Sequence, residues 1–233
     1  MPKEIPIVEG AQSPEEEERI QALVKLFEAG LDDEEETIGY HGTSLEAIQY
    51  MIKNGHLPGG MAVSPQGEAV QGDTLFFYPA PGYKPILQFE TNDAVIDACR
   101  SYAGILAEVH YAMGKFGLDI NDWQQVSMIK SLVVLGRGDP EFDEASAFLQ
   151  ARGFKKNYIF KIIREAEQRK GVVLALSKKM LDRYSPQDAG ETGAEYMVHI
   201  PEGLNVSEIC GLDVKGQQEW DFFAKLQEQI DKK

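Results

Sequence analysis

TIGYHGTSLEAIQYMIKNG, residues 37–55, holds two different periodicities joined by one turn. Thr37-Ile38-Gly39-Tyr40-His41-Gly42-Thr43 is rich in β-branched and aromatic residues and reads as a short strand entering a turn. Ser44 then caps a helix in which Leu45, Ile48, Met51 and Ile52 recur on one face, and Gly55 stops it.

Upstream, Ser13-Pro14-Glu15-Glu16 opens a helix: serine caps, proline fits the first turn and Glu16 completes a capping box. Ile20, Leu23, Val24 and Phe27 follow at helical spacing until Gly30. The acidic run Asp32–Glu36 reads as a solvated linker. Downstream, residues 58–73 are rich in glycine and proline and read as loop. Thr74-Leu75-Phe76-Phe77-Tyr78 reads as a strand, and Pro79, Pro81 and Pro85 make an exposed loop after it. A long helix is expected over Asp93–Met113, with further helices near 121–132, 142–152 and 156–169. Strands return at 171–176, at 195–200 after a polar loop from Ser185 to Gly193, and at 209–214. An amphipathic helix, 217–230, carries Trp220, Phe223, Leu226 and Ile230. The strands are short, separated and mostly not spaced as βαβ units, so the expected fold class is α+β with a helical insertion.

The chain has 233 residues, one ordinary domain with additions. It is long enough to bury roughly 70–75% of its unfolded surface without a disulfide or a metal. Asp plus Glu number 38 against 23 Lys plus Arg, a net charge of -15. A field of that sign repels phosphate backbones at long range, so the expected partner is a basic protein surface rather than nucleic acid. Cys99 and Cys210 sit among apolar residues and read as reduced, largely buried thiols. The N-terminus lacks the apolar stretch of a signal peptide and no run reaches the ~18 apolar residues of a membrane span. The expected location is the cytoplasm, with export by a leaderless route left open, and no membrane partner is expected.

Gly136-Arg137-Gly138 follows an apolar run, but Glu141 stands where a third glycine belongs, so the dinucleotide-loop reading fails. There is no phosphate-binding loop of the Walker type and no nucleophile elbow. His41, His56, His110 and His199 have no metal-ligand spacing, and no metal is expected.

Three segments in order remain. Tyr40-His41-Gly42-Thr43 precedes a capped helix ending in Asn54-Gly55. The aromatic strand Thr74–Tyr78 precedes Cys99-Arg100-Ser101-Tyr102. Lys170-Gly171-Val172-Val173-Leu174-Ala175-Leu176 precedes a loop and then Ala194-Glu195-Tyr196-Met197-Val198-His199-Ile200. Together they resemble the diphtheria-toxin-like ADP-ribosyltransferases, the third segment being closest to the poly(ADP-ribose) polymerase branch and its His-Tyr-Glu motif. The resemblance spans roughly 37–112 and 170–215.

It implies split antiparallel sheets and a catalytic domain over 37–215 with a helical insertion at about 114–169. An acidic helical segment, 1–36, and a C-terminal helix, 216–233, flank it. It implies NAD as co-substrate and mono-ADP-ribosyl transfer to a protein acceptor. Alternatives are an NAD glycohydrolase, an inactive NAD-fold interaction module, or the RNA 2′-phosphotransferase branch, whose phosphate-binding arginines have no match here. In this resemblance Gly42 holds the nicotinamide amide through its backbone, His41 donates to a ribose hydroxyl, and Thr43 adds a contact to the adenosine ribose. Tyr102 stacks on the pyridinium, Phe76 or Tyr78 supplies a second wall, and Glu195 is the catalytic group stabilising charge on the nicotinamide ribose. One departure is Cys99, where the family often has a serine that contacts the amide; either amide recognition is weaker here or Ser101 substitutes from another angle.

Overall fold

The computed structural model describes residues 13–31, 35–57, 59–63, 69–81, 83, 91–119, 122–135, 138–188 and 196–232. In chain order the elements are α1 (Pro14–Ala29), β1 (Thr37–Thr43), α2 (Leu45–Asn54), β2 (Gly60–Val63), β3 (Ala69–Pro79), α3 (Asn92–Phe116), α4 (Trp123–Val134), α5 (Pro140–Ala151) and α6 (Lys156–Ala166). They continue with β4 (Val172–Ser177), β5 (Gln187–Asp188), β6 (Tyr196–His199), β7 (Ile209–Val214) and α7 (Gln217–Asp231). The molecule is α+β. Its strands run in the order β5-β6-β3-β1-β4-β7, with β2 added beside β3, and every pairing is antiparallel.

Local chemistry sets the ends of these elements. The side chains of Ser13, Ser44, Thr91, Asp122 and Asp139 each accept from a backbone N–H in the first turn of the helix they precede. Such a cap is worth about 1 kcal/mol. Two expectations are corrected. Part of the stretch 58–73 is strand: β2 and the first residues of β3 pair there, at Gly60↔Thr74, Ala62↔Val70 and Val63↔Ala69. Glycine and proline content hid a ladder that depends on a partner strand. In the polar loop after Ser185, Gln187 and Asp188 pair with Met197 and Tyr196.

The two faces of the sheet are covered differently. Alternate residues of β4 divide between them. Val172, Leu174 and Leu176 join Ile38, Leu75 and Phe77 under α1, α2 and α7. Val173 and Ala175 join Tyr40 under Val95, Ile96, Cys99 and Ala103 of α3. The β1–β4 register shifts between Thr37 and Gly39, and this bulge lets Ile38 join the first face. The second half of α3 leaves the sheet and packs Val109, Met113 and Phe116 with α4, α5 and α6 in a separate apolar core.

Gly171 joins insertion to sheet. Its φ is +72°, and a Cβ there would lie 2.4 Å from the Ala103 carbonyl oxygen and 2.8 Å from that of Thr43. Only glycine supplies both the left-handed backbone and the clearance. At the sheet's other end, Leu212 N–H of edge strand β7 donates to the Gly30 carbonyl after α1. Gly211 allows this approach, since a Cβ there would lie 2.3 Å from that same oxygen. Among the described residues no helix is long and apolar enough to cross a membrane.

Candidate functional site

The sheet opens between β1 and β3. Strand β1 pairs with β3 only at Gly39↔Pro79 and Tyr40↔Tyr78. Beyond that point β3 continues with β6, from Phe77↔Tyr196 to Thr74↔His199. On its other side β1 stays paired with β4 through Thr43↔Val172. The alternation of strand edges says which residue faces the gap. Ala80 N–H donates to the Ile38 carbonyl, so Ile38 turns its peptide edge toward β3. Tyr40 and Gly42 do the same at the two-residue period, while His41 and Thr43 turn theirs toward β4. Gly42 therefore presents its N–H and C=O where β3 no longer runs beside β1.

His41 spans the base of this gap. Its Nδ1 lies 2.7 Å from the Phe76 carbonyl oxygen. Burial lowers its pKa from 6.5 to about 4, against the smaller opposing effect of that hydrogen bond. The ring is neutral at physiological pH, and a carbonyl partner requires Nδ1 to carry the proton. Nε2 is then left with its lone pair. This bears on the expected donor role: the remaining ring nitrogen can only accept, because the ring's proton is spent on the backbone.

Gly42 is held against α3. A Cβ on Gly42 would lie 2.8 Å from the Cys99 carbonyl oxygen and 2.9 Å from the Ala103 nitrogen, which belongs to the peptide joining Tyr102 to Ala103. Gly42 and the turn that carries Tyr102 are thus in contact. The helix also sets the direction of that tyrosine. Arg100 binds Asp213 of β7 through Nε at 3.0 Å and Nη2 at 2.7 Å. Tyr102 lies two residues on, about 200° around the helix. It therefore leaves α3 on the flank away from β7, toward β3 and the gap. It is half-buried there, as are Phe76 and Tyr78 on β3. Tyr78 packs on the same α3-covered face. His41 pairs with Leu174 and so starts from the opposite face, reaching the gap from below.

The remaining sequence-derived residues fall as follows. Thr43 is buried, with 4% of its surface exposed. Cys99 is wholly buried in the α3–sheet core as a packing thiol. Ser101 does not replace it: its hydroxyl donates to the Asp97 carbonyl within α3, and it lines a concavity with Arg100 and Asp213 on the β7 flank. Cys210 is half-buried rather than buried, with its sulfur 3.4 Å from the Thr37 hydroxyl. Glu195 lies outside the described residues. Its successor Tyr196 pairs with Phe77, next to the last β1–β3 pair. Among the described residues no group of His, Cys, Asp or Glu is arranged to hold a metal ion.

One polar cluster beside the site escaped the sequence reading. Ser44, the cap of α2, places its hydroxyl 2.7 Å from His110 Nδ1 on α3 and accepts from Ala47 N–H. Burial lowers the His110 pKa to about 4, so Ser44 pairs with a neutral ring, and the tautomer of that ring sets which group donates. Arg169 is buried with its guanidinium 4.3 Å from the Tyr111 ring centre. Burial raises the pKa of Glu46, an effect Arg169 opposes. Apart from the Ser44 cap, these contacts join residues 58 or more apart in sequence, and no local pattern announces them.

The end of the β1–β3 ladder therefore brings together the backbone donor and acceptor of Gly42, itself buried, a neutral imidazole offering an acceptor, and half-buried aromatic rings. That set suits a planar ring bearing a carboxamide, attached to a hydroxylated sugar. No family model matches the chain, and no curated protein or solved structure matches it either.

Proposed function

We propose that this chain binds NAD in the gap between β1 and β3 and transfers ADP-ribose to a protein acceptor, releasing nicotinamide. The observation that carries the reading is the early end of the β1–β3 ladder, which leaves the Gly42 edge beyond its last β3 pair while the Gly42 Cα packs on the α3 turn that carries Tyr102. An ADP-ribosyltransferase-like fold, with sheets that part at this strand, is proposed on the same ground.

The C1′–N bond to nicotinamide breaks with its electron pair going to the ring nitrogen, which leaves positive charge on the ribose. An acceptor oxygen or nitrogen then bonds C1′ and loses its proton. Gly42 N–H and C=O would hold the carboxamide and orient the ring. Tyr102 would cover the pyridinium, a cation over an aromatic face worth about 1–2 kcal/mol when desolvated. Phe76 or Tyr78 would form the other wall. His41 Nε2 would accept from a ribose hydroxyl and Thr43 would close the end of the strand. Glu195 would hydrogen-bond the nicotinamide ribose and stabilise the charge developing at C1′.

The test is incubation of the purified chain with labelled NAD and candidate acceptors. One ADP-ribose mass increment should appear on an acceptor or on the chain itself. Glu195→Ala should lower the rate on the order of 100-fold or more while NAD still binds. Equal labelling by that variant would remove Glu195 as the catalytic group. Nicotinamide release with no modified macromolecule would convert the reading to hydrolysis.

A further inference from the structure

The charge of this molecule is unevenly distributed. Residues 152–170 carry seven of the 23 Lys and Arg but two of the 38 Asp and Glu, a local excess of five positive charges on a chain of net -15. Six of the seven cations are exposed: Arg152, Lys155, Lys156, Lys161, Arg164 and Lys170. They are centred on α6, which buries Ile159, Ile162, Ile163 and Ala166 against the insertion core and turns its other face to solvent.

That outer face has an order. Asn157, Lys161, Arg164 and Gln168 fall at spacings of three and four and make one stripe along the helix axis. Aromatic rings flank it. On one side Tyr158, 38% exposed, stacks on Phe154 with ring centres 5.9 Å apart and planes at 11°. On the other, Phe160 lies parallel to Phe142, centres 6.2 Å apart, with Lys156 Nζ 5.8 Å from the Phe160 ring centre. Two ring stacks thus rise from the insertion core on either side of a cationic stripe. Among the described residues Lys161 alone on the stripe has an acidic partner, a 3.7 Å pair with Glu165, a weak contact at an exposed site.

We infer that this face of α6 binds a short single-stranded polynucleotide, with phosphates along Lys161 and Arg164 and bases stacked on Tyr158 and Phe160. Cations tracking a backbone between aromatic platforms are the recurrent means of holding single strands. An acidic protein segment would use the cations but not the rings. A duplex would extend over the strongly negative remainder of the surface. Net charge alone sets nucleic acid aside, but at physiological salt the field decays within about 8 Å, so the local patch governs a ligand in contact with it. This inference goes beyond the NAD reading and stands without it.

The test uses the full chain and a fluorescein-labelled oligouridylate of about 12 nucleotides, within the usual site sizes. Anisotropy should report binding at low salt that weakens between about 50 and 200 mM. K161E/R164E should weaken it on the order of 10-fold or more, and Tyr158→Ala about 5-fold or more. Lys225→Glu, an exposed cation on α7, should leave it unchanged. Unchanged far-ultraviolet dichroism and melting temperature would show that the variants fold. Two results would overturn the inference. One is absence of binding at low salt. The other is polyglutamate of the same length binding as tightly, with Tyr158→Ala without effect, which would assign the face to an acidic protein.

Discussion

Strand β1 meets its two neighbours on different terms. On the β4 side its pairing runs from Thr37 to Thr43, interrupted only by the bulge at Ile38. On the β3 side it lasts two residues, and a histidine side chain contacts the next carbonyl, Phe76 O. The first side is scaffold: Gly171, Val173 and Leu174 lock the strand to α3 and to the apolar core. The second is an opening with backbone polarity aimed into it. A ligand can use only the edge that the ladder leaves unpaired, so the break in pairing, rather than any single side chain, is the ground on which the site is proposed.

The largest effects are expected at two glycines. Gly171→Val, on the closed side, combines a left-handed φ with contacts under 3 Å to two backbone oxygens. It should destabilise the fold by more than about 3 kcal/mol, read as a failure to melt cooperatively. Gly42→Ala should cost roughly 1–3 kcal/mol in thermal or denaturant unfolding, because α3 must retreat from Cys99 O and Ala103 N. It should also weaken NAD binding, measured by calorimetry. A Gly42→Ala chain of unchanged stability would show that the contact between β1 and α3 is looser than described.

Acid should act next. His41 and His110 both have folded pKa values lowered to about 4 by burial, from 6.5. The unfolded chain therefore binds more protons between those values, and stability falls as pH drops from about 6.5 to 4. The loss is on the order of 3 kcal/mol for the pair, discounted for their partial exposure. Glu46 opposes it, because burial raises its pKa and favours its protonated form in the fold. Urea unfolding as a function of pH checks the sign: a flat profile over that window would mean the two rings are hydrated.

The two flanks of α3 sharpen the comparison at a smaller scale. Tyr102→Ala should weaken NAD binding about 10-fold with little change in melting temperature, since an aromatic platform over a cation is lost. Arg100→Ala should do the reverse. It removes the bonds to Asp97 and Asp213 at a partly exposed site, costs under about 1 kcal/mol and leaves NAD affinity alone. Equal effects of the two on NAD would move the binding site off the β3 flank.

The sequence carried β1 and α2 within a residue because their signals are local: β-branched content, a serine cap and a glycine stop. It carried the long helix α3 for the same reason. It missed β2, the start of β3 and β5, since those short stretches are strands only by virtue of a partner. At the site, His41, Gly42 and Tyr102 were legible as residues, but the acceptor role of the imidazole was not. That role follows from Phe76 O being within reach, a fact of tertiary geometry. Ser101 looked interchangeable with a serine at position 99, yet the two lie about 200° apart on the helix and face different surroundings. The basic face of α6 was hidden by averaging, because a net charge sums over surfaces that no ligand touches at once.

One contact far from the gap has its own consequence. Strand β7 ends the sheet, and the Gly30 carbonyl accepts from Leu212 N–H there, so α1 works as a lid on an otherwise adhesive border. A chain trimmed of its first 31 residues would offer that border to the nearest extended polypeptide. Because the cut also takes Ile20, Leu23 and Val24 out of the main core, its failure would appear as concentration-dependent clumping together with a lower melting temperature.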